Sequence, residues 1–308
     1  MNKPVTVMIF CAVITGYCSP AFPAGEVSET GTTGMSFLRV IPSAHIAALG
    51  GGLTAYPANA SAVWSNPALL ALSDGRSVQF THTEWIEDIA QEYAAISSKQ
   101  SYGSLGLAVQ LFDSGDIDGR DSYGSATGPY SIKNVAVSMS YSRMITGNIA
   151  IGFTYKRLFE KISMETASGY AIDMGIAIQT PVEGLSLAAS ARNYGRMGKL
   201  KNERTKLPSD VCFGGLYRGI MPGIERPYIL LGDFLKPKYS DSGIRLGLEI
   251  EAIERFALRM GYRTDSDIED ISFGLGFSLE NFTADVSFTP LKEGFDNALR
   301  FTFGLTGF

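Results

Sequence analysis

The chain has 308 residues, enough for one large all-β domain or for two domains of ordinary size. Charged residues make up only 19% of it, below the share usual in soluble domains, and hydrophobic residues make up 45%. The net charge of −5 lacks the basic excess that nucleic-acid binding requires. We therefore expect no nucleic-acid partner.

Residues 1–24 have the pattern of a secretory signal peptide. Lys3 supplies the positive start, and residues 5–13 form the apolar core. Small residues permit cleavage after Ala21 or after Ala24, and the first site is favoured because it has the smaller residue at its −3 position. This pattern predicts export from a bacterium.

The cysteines predict no internal disulfide bond in the exported chain. Cys11 and Cys18 leave with the signal peptide, so that only Cys212 remains. Lipid attachment at Cys18 is an alternative, which the bulky Tyr17 before it disfavours. After the signal peptide no run of 18 apolar residues occurs, so we predict no transmembrane helix. A periplasmic protein, a secreted protein and an outer-membrane barrel all fit these observations.

Residues 25–75 combine a polar lead-in, up to residue 36, with a segment that lacks the period of a strand. Its main part, residues 37–72, is FLRVIPSAHIAALGGGLTAYPANASAVWSNPALLAL, which is small, apolar and rich in glycine. A short helix is predicted to begin near Ser43 and to end at Gly50-Gly51-Gly52. We expect this segment to lie inside a wall formed by the rest of the chain.

Residues 76–308 repeat one pattern of short alternating strands. In 243–251, for example, Ile244, Leu246 and Leu248 alternate with Arg245 and Gly247, which places the two sets on opposite faces. An even number of strands fits a closed antiparallel transmembrane barrel. The fourteen predicted strands are 76–85, 91–99, 103–112, 133–143, 147–158, 169–180, 184–194, 209–219, 226–234, 243–251, 254–263, 270–278, 281–289 and 296–306.

The predicted links alternate between short and long, which is typical of outer-membrane barrels with short periplasmic turns and longer outer loops. The short links are 100–102, 144–146, 181–183, 220–225, 252–253 and 279–280. The long links are 86–90, 113–132, 159–168, 195–208, 235–242, 264–269 and 290–295.

One face of the predicted wall is apolar, and the other is rich in Gly, Ala and Ser. Crowded small residues suit a concave interior better than a solvated surface, so we assign the apolar face to lipid. Charges of both signs on the inner face can pair across the lumen, which lowers the cost of burying them. Surface residues of a soluble sheet are the alternative. The inner charged candidates are Lys156, Asp173, Arg192, Arg245, Glu249, Arg259, Asp285 and Arg300.

No motif in the chain predicts catalysis, a metal or a cofactor. The spacing of Gly50, Gly52 and Ala55 resembles a nucleotide-binding turn, but no strand–helix–strand unit surrounds it. The two histidines, His45 and His82, are far apart in the sequence, which disfavours a histidine-rich metal site. A lipid-facing hydrolase site at His82 is less probable than an interfacial histidine. The four aspartates in 113–132 lack the closing Glu of a calcium loop, so we interpret them as solvated.

Residues 37–72 resemble the opening motif of the PorV/PorQ-like branch of the FadL-type outer-membrane barrels. Asn66-Pro67-Ala68 match the closing triplet of that motif, whereas His45 and Leu53 depart from it. Further matches lie in YAIDMGI, AASARNYG and LPSDVCFGGLYR, so the resemblance covers nearly the whole chain after the signal peptide. The resemblance implies a fourteen-stranded barrel in the outer membrane of a Gram-negative bacterium, with an N-terminal plug in its lumen.

The resemblance implies two functions, both without catalysis. The first hypothesis is a scaffold associated with type IX secretion, with secretion-system proteins as partners. The alternative is a FadL-like channel for uptake of small hydrophobic molecules. Outer-membrane lipid surrounds the barrel in both cases. The predicted plug residues are Gly50, Gly51, Gly52, Trp64, Asn66 and Pro67, and we expect Trp64 and Asn66 to anchor the plug to Asp173 and Arg192 of the wall.

Overall fold

The computed structural model describes residues 33–52, 54–56 and 59–308. The predicted signal peptide and the lead-in up to residue 32 lie outside the described residues. Four short helical turns precede the strands: a 3₁₀ turn Ser36–Arg39, the α-helices α1 (Ala44–Ala48) and α2 (Ala62–Ser65), and a 3₁₀ turn Pro67–Leu72. None of the helices in the described part is long and apolar enough to span a membrane.

Fourteen antiparallel strands follow and close into a barrel, as the sequence predicted. Each strand pairs with the next one along the chain, and the last strand pairs with the first through Ser77–Glu84 and Leu299–Thr306. The strands are β1 (Arg76–Glu84), β2 (Ala90–Gln100), β3 (Gly103–Asp113), β4 (Ile132–Met144), β5 (Ile149–Ile162), β6 (Glu165–Gln179), β7 (Leu185–Met197), β8 (Asp210–Met221), β9 (Arg226–Pro237), β10 (Gly243–Ile253), β11 (Phe256–Arg263), β12 (Ile271–Leu279), β13 (Phe282–Thr289) and β14 (Ala298–Thr306).

The two faces of the wall differ in burial as the alternation predicted. On β10, Leu246 points outward and is 48% exposed, whereas the neighbouring Arg245 points inward and is 3% exposed. The outward set includes large apolar side chains on every barrel strand, such as Phe80, Phe153 and Phe273. A continuous apolar exterior with polar groups inside is the arrangement that a lipid environment favours.

The links divide into a short-link end and a long-link end of the barrel, with one exception to the prediction. Instead of a loop over 159–168, residues 163–164 form a two-residue turn. The prediction was wrong because β5 and β6 continue to pair up to Ile162 and Glu165. The expected loop at 113–132 contains a small hairpin of its own, in which Ile117–Arg120 pairs with Ala126–Tyr130.

The wall is taller on one side than on the other. Strands β4 to β7 have 13 to 15 residues each, whereas β11 to β14 have only 8 or 9. At a rise of about 3.3 Å per residue the longer strands extend well beyond the length that a tilted strand needs to cross the hydrocarbon layer. The long-link ends of β4 to β7 therefore project beyond the apolar band.

We predict that Leu246→Arg impairs assembly of the barrel more than Ile253→Arg. Both side chains point outward on β10, but Leu246 lies within the apolar band and Ile253 lies at its short-link edge. An arginine near the bilayer midplane costs about 2–4 kcal/mol, falling to about 0–1 kcal/mol near the interface. The measurement is the fraction of heat-modifiable, folded protein recovered in membranes. Equal recovery of the two variants would contradict the assignment of the faces.

Candidate functional site: the lumen and the N-terminal segment

Residues 33–73, here called the N-terminal segment, pack against the inner face of the strands. Its helix α1 contacts β11 to β14, and the turn Pro67–Leu72 contacts β2 to β6, so the segment meets both sides of the barrel. Most of its side chains are buried; Ala44, Ile46, Ala48 and Leu49 are completely so. These residues of the segment are therefore packed between one another and the inner face of the strands.

Glycines of the wall allow the backbone of the segment to approach closely. A Cβ atom at Gly261 would overlap the backbone of Leu49 and Gly50, and one at Gly152 would overlap Pro67 and Ala68. A larger residue at either wall position would push the segment away. The small residues of the inner face thus serve close packing with the segment.

The predicted glycine run ends α1 and joins it to the wall. Gly50 and Gly51 adopt positive φ angles of 68° and 77°, which a residue with a Cβ adopts only with strain. The Gly50 N–H donates to Ser272 Oγ at 3.2 Å, and the Gly51 carbonyl accepts from Arg245 Nη1 at 2.9 Å. Gly52 packs against Leu231 of β9.

Asn66 is the most connected of the predicted plug residues. Its Nδ2 donates to the carbonyl oxygens of Thr54 at 2.9 Å, Ile176 at 3.3 Å and Ala189 at 3.4 Å, and its Oδ1 accepts from the Ala68 N–H. The side chain lies over Gly175, where a Cβ would overlap it. Asn66 therefore ties the segment to itself and to β6 and β7 at once.

Trp64 and Pro67 occupy the same region. The Trp64 indole N–H donates to the Leu38 carbonyl at 3.2 Å, and the Arg192 guanidinium lies 4.9 Å from the centre of the indole rings. Pro67 opens the second 3₁₀ turn, next to Gly152 of the wall. Asp173, the other expected wall partner, instead pairs with Lys156 at 2.7 Å and accepts from the Asn193 N–H.

The eight charged side chains that the sequence places on the inner face all have oppositely charged partners in the structure. Lys156 and Asp173 pair with each other on the taller side of the barrel. Near the short-link half, Arg259 donates to both Glu249 and Asp285 at 2.6 Å. Glu249 also contacts His45 Nε2 at 3.1 Å and accepts from the Tyr56 hydroxyl at 3.2 Å, so that this wall cluster holds two residues of the segment.

A second cluster lies at the long-link end, and sequence reasoning missed its acidic members. Asp265 accepts from Arg245 at 2.7 Å and from Arg263 at 2.6 Å. Glu269 accepts from Arg263 at 2.6 Å and lies 3.6 Å from Arg300. Asp210 similarly forms a bidentate pair with Arg192. Asp265 and Glu269 lie in a link, where no alternation indicates which way a side chain points.

The guanidinium groups determine the ionisation of Asp265. Burial by itself raises the pKa of this carboxyl group, but the charges and hydrogen bonds of Arg245 and Arg263 outweigh burial and hold its pKa well below the ordinary value. Asp265 is thus an anion throughout the physiological range, and it neutralises two arginines that line the lumen.

A cavity of about 460 Å³ opens at the long-link end, above the segment. Its lining combines Arg39 and Trp85 with the charged cluster at Asp265 and Glu269. Deeper in the lumen, the space between α1 and the wall near Ser272 holds only about 10 Å³, close to the volume of one water probe. Between α1 and the wall near Ser272, therefore, the segment leaves room for no more than about one water molecule.

The remaining candidate groups do not form a catalytic or metal-binding arrangement in the described residues. His82 points outward on β1, where its Nδ1 lies 2.6 Å from Glu92. Cys212 is buried, and its Sγ accepts from the Thr54 hydroxyl at 2.9 Å. No cluster of three His, Cys, Asp or Glu side chains suited to a metal occurs in the part of the chain that the structure describes.

We predict that Asn66→Ala loosens the N-terminal segment. The substitution leaves one buried and two partly buried carbonyl oxygens without this donor, and we expect a loss of about 1–3 kcal/mol in the free energy of unfolding. Faster proteolysis between residues 33 and 73 would accompany it. The matched control is Asn148→Ala in an exposed turn, which should change stability by less than about 0.5 kcal/mol. Unchanged protection of the segment would show that Asn66 is not an anchor.

We predict that Asp265→Asn destabilises the long-link end by about 3–5 kcal/mol, because Arg245 and Arg263 then lack their shared anion. The exposed Asp267→Asn in the same link is the control. Since the pKa of Asp265 is lower in the folded state, its contribution is complete above the unfolded value of about 3.9 and is lost as the pH falls through the folded value. Unfolding curves at pH 7 and pH 4 should therefore both show the difference between the variants.

The architecture resembles solved outer-membrane channels. The toluene transporter TodX of Pseudomonas putida is 12% identical, with a TM-score of 0.59 over 84% of this chain and 95% of that chain. The monoaromatic hydrocarbon channel CymD is 8% identical, with a TM-score of 0.60 over 85% and 96%. A FadL homologue of Pseudomonas aeruginosa is 11% identical, with a TM-score of 0.52 over 82% and 94%.

Comparison of the sequence with family models and with curated proteins finds no match. At these identities the structural likeness concerns the fold, and it does not select the PorV/PorQ-like branch. Together with the apolar exterior and the alternating links, it places the protein in the outer membrane of a Gram-negative bacterium. The protein has the fold of the FadL-type fourteen-stranded outer-membrane β-barrels.

Proposed function

We propose that this protein is an outer-membrane channel for small hydrophobic molecules and that its N-terminal segment is the plug. The proposal replaces secretion as the leading hypothesis, because solved channels that share the fold are named for toluene and monoaromatic hydrocarbons. The residue that ties the plug most firmly is Asn66, and the passage it closes runs from the vestibule to the short-link end.

The observation that carries the proposal is a group of apolar side chains on the wall beneath the segment. The inward side chains that the segment covers include Ala95, Ala108, Leu216 and Leu231, which are buried and pack with Leu49 and Val63 of the segment. A shift of the segment would uncover these apolar side chains, which lie among the polar and charged residues of the inner face. Such a lining favours solutes that gain free energy on leaving water.

Passage beside α1 requires movement of the helix, because the space there is too small for any solute larger than water. Three polar contacts join α1 and the following Gly50 to the wall: Ala44 N–H to Thr302 Oγ1 at 2.9 Å, Gly50 N–H to Ser272 Oγ at 3.2 Å, and His45 Nε2 to Glu249 at 3.1 Å. A local rearrangement of α1 is therefore less costly than opening the wall, in which every strand is paired on both sides.

The test joins the segment to the wall by an engineered disulfide bond. Ala44→Cys and Thr302→Cys are introduced together with Cys212→Ala, and uptake of radiolabelled toluene by proteoliposomes is measured before and after reduction. We expect uptake by the oxidised protein to fall at least tenfold and to recover on reduction. The two single-cysteine variants are the controls. Uptake no faster than in empty liposomes would refute the channel, and uptake unaffected by the cross-link would refute gating by the segment.

The secretion-associated scaffold is the second candidate, and one observation favours it. The triplet Asn66-Pro67-Ala68, on which the resemblance to the PorV/PorQ-like branch rests, lies at the contact between segment and wall. A barrel with a filled lumen suits a scaffold that need not conduct. Affinity purification from the native outer membrane distinguishes the candidates: a scaffold recovers secretion-system proteins in stoichiometric amounts, and a channel does not.

A further inference from the structure

The taller side of the barrel carries an unusual row of outward side chains near its long-link end. Pairing of β4 to β7 places Val137 beside Arg157, Arg157 beside Tyr170, and Tyr170 beside Arg196. All four point away from the lumen, and the two arginines are exposed. Because adjacent strands are about 4.8 Å apart, the two arginines begin about 10 Å from each other across the surface.

Arg157 is held against the wall, and no acidic side chain among the described residues pairs with it. Its Nη1 donates to the Gly169 carbonyl at 3.3 Å and its Nη2 donates to Ser168 Oγ at 2.9 Å. Its guanidinium carbon lies 5.2 Å from the centre of the Phe159 ring. These contacts orient the guanidinium and do not neutralise its charge, so that it is available to bind an external anion.

A layer of tyrosines marks the level of the membrane interface beside this row. Tyr155 and Tyr194 are the next outward-facing residues toward the apolar band from Arg157 and Arg196. Ile172 of β6 lies between them. The rings of Tyr155 and Tyr170 are stacked, with centroids 6.5 Å apart. Aromatic girdles of this kind lie at the lipid headgroup level in outer-membrane barrels. The arginines therefore lie where lipid headgroups contact the wall.

The charge at this level differs around the barrel. Arg157, Lys161 and Arg196, here called the cationic patch, point outward on β5 and β7. From the tyrosines upward, the outward positions of β4 to β7 in the described structure hold no Asp or Glu. Lys133, at the edge of β4, is neutralised by Asp113 of β3 at 3.0 Å and so is left out of the patch.

The outward positions of β1 and β2 carry acidic residues, which supports a role specific to the cationic patch. There the outward positions at the long-link end carry Glu84 and Glu92 around His82. A uniform attraction to an anionic membrane would need cations all round the barrel. The cationic patch instead favours an anionic ligand on this side of the barrel.

We propose that the cationic patch binds the phosphate groups of a phosphorylated glycolipid headgroup in the outer leaflet. The long-link end faces the outside of the cell in barrels with this link pattern. Arginine pairs with phosphate in a planar, bidentate geometry, and two arginines about 10 Å apart match a headgroup with two phosphates. The apolar surface below, including Met139, Ile172 and Met174, is available to the acyl chains of the same molecule.

An acidic protein is the other kind of partner that cations attract, and the surroundings disfavour it. The patch is continuous with the tyrosine layer and the apolar band, so that its ligand contacts an anionic group above and an apolar phase below. A lipid satisfies both requirements with one molecule. The inference concerns the outer surface and is independent of what passes through the lumen.

The test compares two lipids and two variants in detergent. Purified protein is titrated with bisphosphorylated lipid A and with its phosphate-free form, and bound lipid is counted by native mass spectrometry. We expect Arg157→Gln/Arg196→Gln to weaken binding of the phosphorylated form at least tenfold and to leave the weaker binding of the phosphate-free form unchanged. The control is Arg143→Gln, an exposed outward arginine of β4 at the short-link end, which should bind like the wild type.

Two results would overturn the proposal. Equal affinity of the wild type for the two lipid forms would mean that the phosphates are not recognised. Equal losses in Arg143→Gln and in the double variant would mean that position on the barrel is irrelevant. Heat-modifiable migration of each variant establishes beforehand that the barrel is folded, and the affinity for phosphate-free lipid serves as an internal measure of an intact apolar surface.

Discussion

Close contact between the N-terminal segment and the glycines of the inner wall is the interaction on which the rest of the structure depends. At Gly152, Gly175 and Gly261 the wall has no Cβ atom, and the segment comes to rest on its backbone. The segment needs no regular secondary structure of its own, because its polar groups pair with the wall and with nearby turns. Asn66 shows this in one side chain that reaches three carbonyl groups.

The position of the segment also explains how the wall tolerates so many buried charges. Five arginines of the inner face have carboxylate partners, namely Arg192, Arg245, Arg259, Arg263 and Arg300. Two of them also hold the segment: Arg245 donates to the Gly51 carbonyl and Arg300 to the Ile41 carbonyl. Removing a single partner would leave a buried charge uncompensated, which is costly. The charged clusters therefore hold the segment between Ile41 and Tyr56, while apolar contacts dominate from Val63 to Leu70.

The outer surface obeys a different constraint from the lumen. Most of it must be apolar to contact lipid, so charged side chains are expected there only at the ends of the strands. The extra length of β4 to β7 raises Arg157 and Arg196 above that band, and the tyrosines beneath them mark the transition. The two faces of one strand can thus have separate roles: on β7, Arg192 pairs inside with Asp210, whereas Arg196 points outside.

The period-two alternation was sufficient to predict the strand number, the closed antiparallel order and the lipid-facing side, because one slip of register would turn every side chain to the wrong face. Ile244, Leu246 and Leu248 could therefore be assigned from sequence alone, and so could the inward direction of Arg245. The alternation of link lengths likewise predicted which end of the barrel carries the long links. The exception at residues 159–168 arose because polar residues such as Lys161 and Glu165 suit a loop as well as a strand that projects beyond lipid.

Only the tertiary structure shows which residue each charged side chain of the wall pairs with. Asp265, Glu269 and Asp210 lie outside or at the end of the alternating pattern, so nothing in the sequence indicated that they neutralise wall arginines. The bulge at Asn193, with φ at 59°, lets two successive residues of β7 face inward and brings Asp173 to Asn193 rather than to the segment. Hydrophobic periodicity reports the direction of a side chain relative to the wall, whereas the identity of its partner depends on how the closed barrel brings distant strands and links together.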